Sequence, residues 1–247
     1  LAQRLDHRKM PHTMNIHSLN LGFVQAYLIE TPTGLVLVDC GMPRQEGAIR
    51  QAMERLGRND LALIFITHAH VDHYGSAAAL ARLTGAPVAI HRADAESMAK
   101  GETSVRGARP LMRAVTSVMA RLSPTPPVQA DVLLDDGDSL GQYGLPGIVV
   151  HTPGHTAGSC CLVLDDGAGF VGDLVSAGGE PHLQRTFVED WEQLRRSYAR
   201  VRDLGLSRVY AGHGSRVLTG DELADLIDAE LSSPPTPPTP RAQDRRL

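Results

Sequence analysis

A layered α/β fold is predicted for this chain of 247 residues. Three observations predict it. Continuous apolar runs, such as the one at residues 61–67, read as buried strands. They alternate with amphipathic stretches that end in glycine and read as helices. The two halves of the chain also share a rhythm of strands followed by helix, which hints at a duplicated two-layer unit.

Taken in order, residues 23–30 and 34–39 read as two strands joined by the turn Thr-Pro-Thr-Gly. Residues 44–57 form an amphipathic helix ending at Gly57. The run at 61–67 is the next strand, and a histidine-rich bend follows it directly. A helix closed by Gly85 and a strand at 87–91 come next. Residues 92–127 read as mostly helical, with Leu111, Val115, Val118, Met119 and Leu122 on one stripe. Short strands with turns occupy 131–138, 147–155, 159–166 and 169–173. A helix at 189–205, with Trp191 and Tyr198 on its core side, leads to a strand at 208–212. Residues 232–247 are proline-rich and polar and are expected to be a disordered tail. One domain over residues 1–231 is therefore expected, with a helical insert or lid at about 92–127.

Composition narrows the function classes. Hydrophobic residues make up 42% of the chain and the formal net charge is -4, so no strong basic field points to nucleic acid. No apolar run approaches the ~20 residues of a membrane span. The first twelve residues are charged and lack an apolar core, so no secretory signal is expected. Three cysteines, Cys40, Cys160 and Cys161, are an odd and sparse set that suits a reducing compartment, hence the cytoplasm. They are expected to be small buried hydrophobes. The expected partner is a small-molecule substrate, with no nucleic acid and no membrane.

The bend after the third strand reads Thr-His-Ala-His-Val-Asp-His. His68 and His70 lie two apart on extended backbone, which puts both rings on one side. Asp72 and His73 follow where a helix begins and approach from another direction; the helix N-terminus favours an ionised Asp72. Imidazole with carboxylate suits zinc and tolerates iron or manganese. Four ligands at one bend do not easily surround one ion, so partners are expected downstream. His155, Asp173 and His213 each stand at the end of an apolar strand, where loops on a rigid scaffold carry function. His17, His91 and His151 are expected to be satisfied or solvated, and His7 and His12 to lie on the surface.

The segments THAHVDH, TPGHTAGS, GDL and AGHG occur in this order, preceded by VDCGM around Asp39. Over residues 23–216 the chain thereby resembles the metallo-β-lactamase-fold superfamily of metallohydrolases. The resemblance implies a four-layer αββα sandwich of two mixed sheets, with the site at one edge. It implies His68, His70 and His155 as ligands of a first metal ion, Asp72, His73 and His213 as ligands of a second, and Asp173 as the bridge. Asp39 would orient a ligand rather than bind metal. Cys40 stands where the family more often has Thr or Ser, and its thiol is a candidate for redox sensitivity.

Two zinc-like ions, or iron or manganese, roughly 3.5–4 Å apart would hold a bridging hydroxide, with Asp72 orienting it as the catalytic acid–base group. The leading expectation is hydrolysis of an ester, lactone or thioester, in a branch similar to glyoxalase II and the lactonases. Asp173 argues against a true β-lactamase, which typically lacks that bridging acid. The alternative is a mononuclear iron sulfur (persulfide) dioxygenase of the same fold. A phosphodiesterase and a non-catalytic binding protein rank below both. Substrate recognition is open: residues 92–122 could close over the site with Met98, Met112 and Met119, or could pack on a sheet or in a homodimer contact. Arg106, Arg109 and Arg113 could receive an anion or be solvated, and Tyr74 and His182 could reach substrate or serve the scaffold.

Overall fold

The computed structural model describes residues 13–105, 110–122 and 124–233. Its first sheet contains β1 (Ile16–Asn20), β2 (Gln25–Thr31), β3 (Gly34–Val38), β4 (Leu61–Ile66), β5 (Val88–His91) and β6 (Val132–Leu134), in that spatial order. The strands from β1 to β3 pair antiparallel; from β3 to β6 they pair parallel. Between them run α1 (Glu46–Arg55), α2 (Val71–Tyr74), α3 (Ala77–Thr84), α4 (Arg92–Lys100) and α5 (Pro110–Leu122). The second sheet contains β7 (Gly147–His151), β8 (Cys160–Leu164), β9 (Ala168–Ser176), β10 (His182–Leu183), β11 (Arg208–His213) and β12 (Leu218–Thr219). Its order is β12-β11-β9-β8-β7, with β10 also on β9. Two helices, α6 (Trp191–Asp203) and α7 (Gly220–Ser232), complete this half.

Strand periodicity divides the apolar residues into three cores. Along β3, Leu35 and Leu37 point to a cluster with Ile49, Met53 and Leu80 of α1 and α3. Val36 and Val38 point the other way, into a cluster shared by both sheets. The same alternation runs through β8, where Cys161 and Val163 face α6 and α7 while Cys160, Leu162 and Leu164 face the first sheet. The order of layers is therefore helix, sheet, sheet, helix, the four-layer arrangement expected. Cys160 and Cys161 are free thiols on opposite faces. Helix ends are locally specified as well. Asp190 caps α6, and Thr219 with Glu222 forms a capping box on α7.

Some expectations need correction. Strand β1 was not predicted; it is a half-exposed edge in which only Ile16 and Leu19 are apolar, so its pattern is weak. Residues 92–127 hold two helices, α4 and α5, as the mostly helical expectation has it, but Met98 takes a different place from the one expected. α4 packs on the first sheet and Met98 is buried in that core, not in a lid. On α5, Leu111, Val115 and Val118 are exposed, so the apolar stripe does not pack into the sandwich there. The side chains of Met112, Met119 and Leu122 lie outside the described residues, as do Arg106, Arg109, His7 and His12. α7 runs through Ser232, the first residue assigned to the tail, and residues 234–247 lie outside the described residues. Among the described residues no helix is long and apolar enough to cross a membrane.

Phe170 ties the two sheets together: its ring meets Tyr27 edge-on and stacks on Tyr210. Phe170→Ala is expected to cost about 3–5 kcal/mol of unfolding free energy, read by urea denaturation. A loss below about 1 kcal/mol, within the range of ordinary surface changes, would contradict this account of the central core.

Candidate metal centre

The site lies where chain segments from both sheets meet. Beyond β4 the chain bends through Thr67, His68 and Ala69, rather than staying extended there as expected, and reaches His70, which stands in extended conformation at the head of α2. The short helix then turns Asp72 and His73 towards the same point. Asp39 follows β3 with a positive φ of 54°, and its carboxylate accepts from the Thr67 amide (2.8 Å), the Thr67 hydroxyl (2.9 Å) and His73 Nδ1 (2.8 Å). The Cys40 amide donates to the His73 carbonyl oxygen at 2.7 Å. The VDCGM segment thus grips His73 by ring and by backbone.

From the second half, His155 comes on the loop between β7 and β8, which closes on itself through the Thr152 amide to Ser159 and the Gly154 amide to Thr156. His213 ends β11 and is bridged to Val24. Asp173 is not at a strand end as expected; it lies within β9, which continues to Ser176. A register shift against β11 in this region presents both its carboxylate oxygens to the site. Gly212 makes the close packing possible: a Cβ there would lie 2.6 Å from the His73 ring and 2.7 Å from Asp173 Oδ1.

All seven predicted residues come together, in two groups. His70 Nδ1 is 3.1 Å from His68 Nε2 and 3.0 Å from His155 Nε2. Asp173 Oδ2 is 3.3 Å from His155 Nε2 and 4.0 Å from His68 Nε2. On its other side, Asp173 Oδ1 is 3.2 Å from both His73 Nε2 and His213 Nε2. Asp72 Oδ2 completes the second group at 3.6 Å from His213 Nε2 and 3.8 Å from His73 Nε2. Within each group the facing atoms lie within 4.8 Å of one another.

The outward ring nitrogens decide which atoms face inward as lone pairs. His70 Nε2 donates to the Ser104 carbonyl oxygen (3.1 Å) and His213 Nδ1 to that of Phe23 (2.9 Å). His73 Nδ1 donates to Asp39. The Thr67 hydroxyl proton is committed to Asp39, so its oxygen accepts from His68 Nδ1 at 3.1 Å. Each imidazole so bonded can turn an unprotonated nitrogen to the centre. His73 Nε2 and Asp173 Oδ1 are fully buried without a hydrogen-bond partner among the described residues. Such a set of inward acceptors fits divalent cations.

Electrostatics agree with that fit. Burial, then the neighbouring histidines, push His68 and His70 well below the ordinary imidazole range, so both are neutral donors of lone pairs. Burial also pushes His73 down, but Asp173, Asp39 and Asp72 outweigh it and hold His73 well above its ordinary value. Burial raises Asp173, yet His73, His155 and His213 together bring it well below the carboxylate range. The acid excess around His73 therefore calls for positive charge, which a proton or a metal ion supplies.

Other candidates resolve differently. Tyr74 is fully buried and its hydroxyl donates to the Glu102 carbonyl oxygen, so it packs. Cys40 is fully buried, its thiol donates to the His73 carbonyl oxygen at 3.2 Å, and burial, then Asp39, push it well up, so it packs as a small buried side chain. His182 is exposed, its ring against Glu180 in its own turn. His17 pairs with Glu30, and His91 stacks on His151 at 3.8 Å, as satisfied side chains. Two aromatics beside the centre were not anticipated. Phe23, 62% exposed, stacks parallel to His213 at 5.9 Å. Phe187, at φ 60°, stands edge-on to His70 at 5.8 Å. Neither occurs in a pattern that marks it in sequence.

Comparison with known proteins gives a consistent result. The profile of the metallo-beta-lactamase superfamily matches residues 19–213. The probable metallo-hydrolase YflN of Bacillus subtilis is 31% identical, over 86% of this chain and 89% of its own length. The human acyl-coenzyme A thioesterase MBLAC2 is 30% identical over 74% of this chain and 57% of its own length. Among solved structures, TTHA1623 in a di-iron-bound form superposes with a TM-score of 0.66 at 28% identity, covering 86% of this chain and 98% of that one.

Proposed function

The chain belongs to the metallo-beta-lactamase superfamily of metal-dependent hydrolases, and from that membership we propose that it is a dinuclear enzyme acting on esters, lactones or thioesters. One observation carries the proposal. Asp173 turns Oδ2 to the His155 side and Oδ1 to His73 and His213, so a single buried carboxylate serves two imidazole groups. His68, His70 and His155 would hold the first ion, and Asp72, His73 and His213 the second, with Asp173 shared between them. Zinc suits this donor set; the di-iron form of TTHA1623 supports iron as the alternative. When bound, such a pair of ions acidifies a water for attack and polarises the substrate oxygen.

The chain's own residues then have defined tasks. Asp39 holds His73 by its Nδ1 proton and keeps Nε2 free to bind. Thr67, Ser104 and Phe23 do the same for His68, His70 and His213. Asp72 is the more solvent-facing acid of the centre, with 19% of its side chain exposed against 7% for Asp173. It orients the attacking water and accepts its proton. Phe23 and Phe187 border the site with apolar rings that suit an acyl or ring-shaped substrate.

The cavity beside the centre supports an acyl over a phosphodiester substrate. About 370 Å3 in volume, it adjoins the ligand loops at Ala69 and Thr156 and carries Glu102 and Glu189 in its lining. Those carboxylates disfavour an anionic substrate. The thioesterase MBLAC2 supports a thioester in particular. Three free, buried thiols support a reducing, cytoplasmic setting.

Three outcomes test this function. Protein purified without chelator should carry two metal ions per chain by elemental analysis; a reproducible single iron, with no hydrolysis restored by zinc or manganese, points instead to the dioxygenase. Asp72→Ala should lower kcat/KM by about 10²–10⁴, the span of a lost general base. His182→Ala should leave it near wild type. Near-normal turnover in Asp72→Ala rejects the assigned centre. Across a panel of aryl esters, lactones, acyl thioesters, β-lactams and bis-aryl phosphodiesters, the acyl substrates should rank first in kcat/KM, the quantity that reports transition-state discrimination. Phosphodiesters in first place would overturn the substrate class while leaving the metal centre intact.

A further inference from the structure

Asp94 is a buried acid that the proposed chemistry does not use. It is the third residue of α4 and only 4% exposed. Its hydrogen-bond partners are N–H and O–H groups of the two loops that carry metal-facing histidines. Oδ2 accepts from the Ala69 amide at 2.8 Å and from the Thr156 hydroxyl at 2.7 Å. Oδ1 accepts from the Gly158 amide at 2.7 Å. Ala69 stands between His68 and His70; Thr156 follows His155.

The first loop belongs to the first sheet and the second loop to the other. A single carboxylate therefore clasps segments from both halves at the point where His70 Nδ1 and His155 Nε2 must come within 3.0 Å. The bonds are short and charge-assisted, which makes them stiffer than neutral ones. They also offset the cost of burying the acid, so breaking them leaves an uncompensated charge or an unfilled gap. Gly158 is part of the device: a Cβ there would lie 2.6 Å from Asp94. Ser159 extends it, since its hydroxyl accepts from the Thr156 amide at 3.0 Å and lies 2.8 Å from the Thr156 hydroxyl. The rotamer of Thr156, and with it the direction of His155, is fixed from both sides.

We propose that Asp94 is a positioning residue that assembles the first metal group, by holding the His68–His70 loop and the His155 loop at a fixed separation. The proposal rests on the metal-centre reading above. Among the described residues the side-chain hydrogen bonds of Asp94 go to the loops of the first group and none goes to Asp72, His73 or His213, so a positioning role is distinguished from general stabilisation by its effect on one group alone. Loss of Asp94 should let the His155 loop drift while the second group, held by Asp39, Cys40 and Phe23, keeps its geometry.

The test uses the full chain stripped of metal and titrated with Co2+, following bound equivalents by calorimetry and the visible spectrum. Asp94→Ala, Asp94→Asn and wild type are compared, with Ile227→Ala as a control that opens a fully buried site in the distant α7 core. Asp94→Ala should weaken one Co2+ equivalent about 10–100-fold, the usual effect of removing a group that orients ligands. The other equivalent should be unchanged. Asp94→Asn keeps one acceptor oxygen and should fall between, so it carries the test if the alanine variant does not fold. Ile227→Ala should melt earlier with both affinities intact. Unchanged affinities in both Asp94 variants, or equal weakening of both equivalents, would overturn the proposal. A wild type that takes up a single equivalent overturns the dinuclear reading instead, and the Asp94 effect is then judged on that equivalent's affinity.

Discussion

The centre depends on where the protons of its imidazoles are held. A histidine that faces a metal with its N–H inward is useless as a ligand, and nothing in the ring itself prevents that tautomer. Here the fold supplies an outward acceptor to four of the five rings: Thr67, the Ser104 carbonyl, Asp39 and the Phe23 carbonyl. Each acceptor is in turn fixed. Thr67 is turned by Asp39, and Asp39 sits in a left-handed conformation that costs backbone energy of order 1–3 kcal/mol. Asp39 recovers that cost by ordering two histidines at once, one directly and one through Thr67.

Such ordering needs a rigid frame, and the interface between the sheets provides it. Tyr27, from the first sheet, donates to the Ala211 carbonyl oxygen of β11 at 2.6 Å and packs on Phe170 and Tyr210. Two residues further, β11 delivers His213. The same contact that fuses the sheets therefore sets the height of a ligand from the second half against the ligands from the first. Burial completes the arrangement. Among the facing side chains, His68, His70, His73 and His155 are almost fully enclosed, which keeps water from competing for their lone pairs.

Much of this was legible in the sequence because it was written in short range. The strand–bend–helix at His68 to His73 has fixed spacing, and the strand-end position of His213 follows from an apolar run that stops; His155 was found by its motif but stands in the loop after β7, which ends at His151. Asp173 was found by its motif, but its place inside β9 was not, since a register shift against a neighbouring strand leaves no local mark. Asp94 was hidden for a different reason. An acid in the first turn of a helix is ordinary on dipole grounds alone, and its partners lie 25 and more than 60 positions away in sequence. The stripe on α5 failed because helical periodicity says which face is apolar and not whether anything covers it.

That asymmetry also separates reaction from substrate. The metal-facing groups are carried on and beside the strands of the frame. The groups that border the open side come from connecting segments: Phe23 between β1 and β2, Ser104 after α4, Phe187 before α6. Loops of this kind can change length and side chain without disturbing the sheets. A superfamily can therefore keep one metal-assembling frame and vary its substrates through three or four loops. Among the described residues those loops bring the rings of Phe23 and Phe187 to the centre and Glu102 and Glu189 to the cavity beside it, and the acyl substrate proposed above rests on these surroundings rather than on the metal-facing groups.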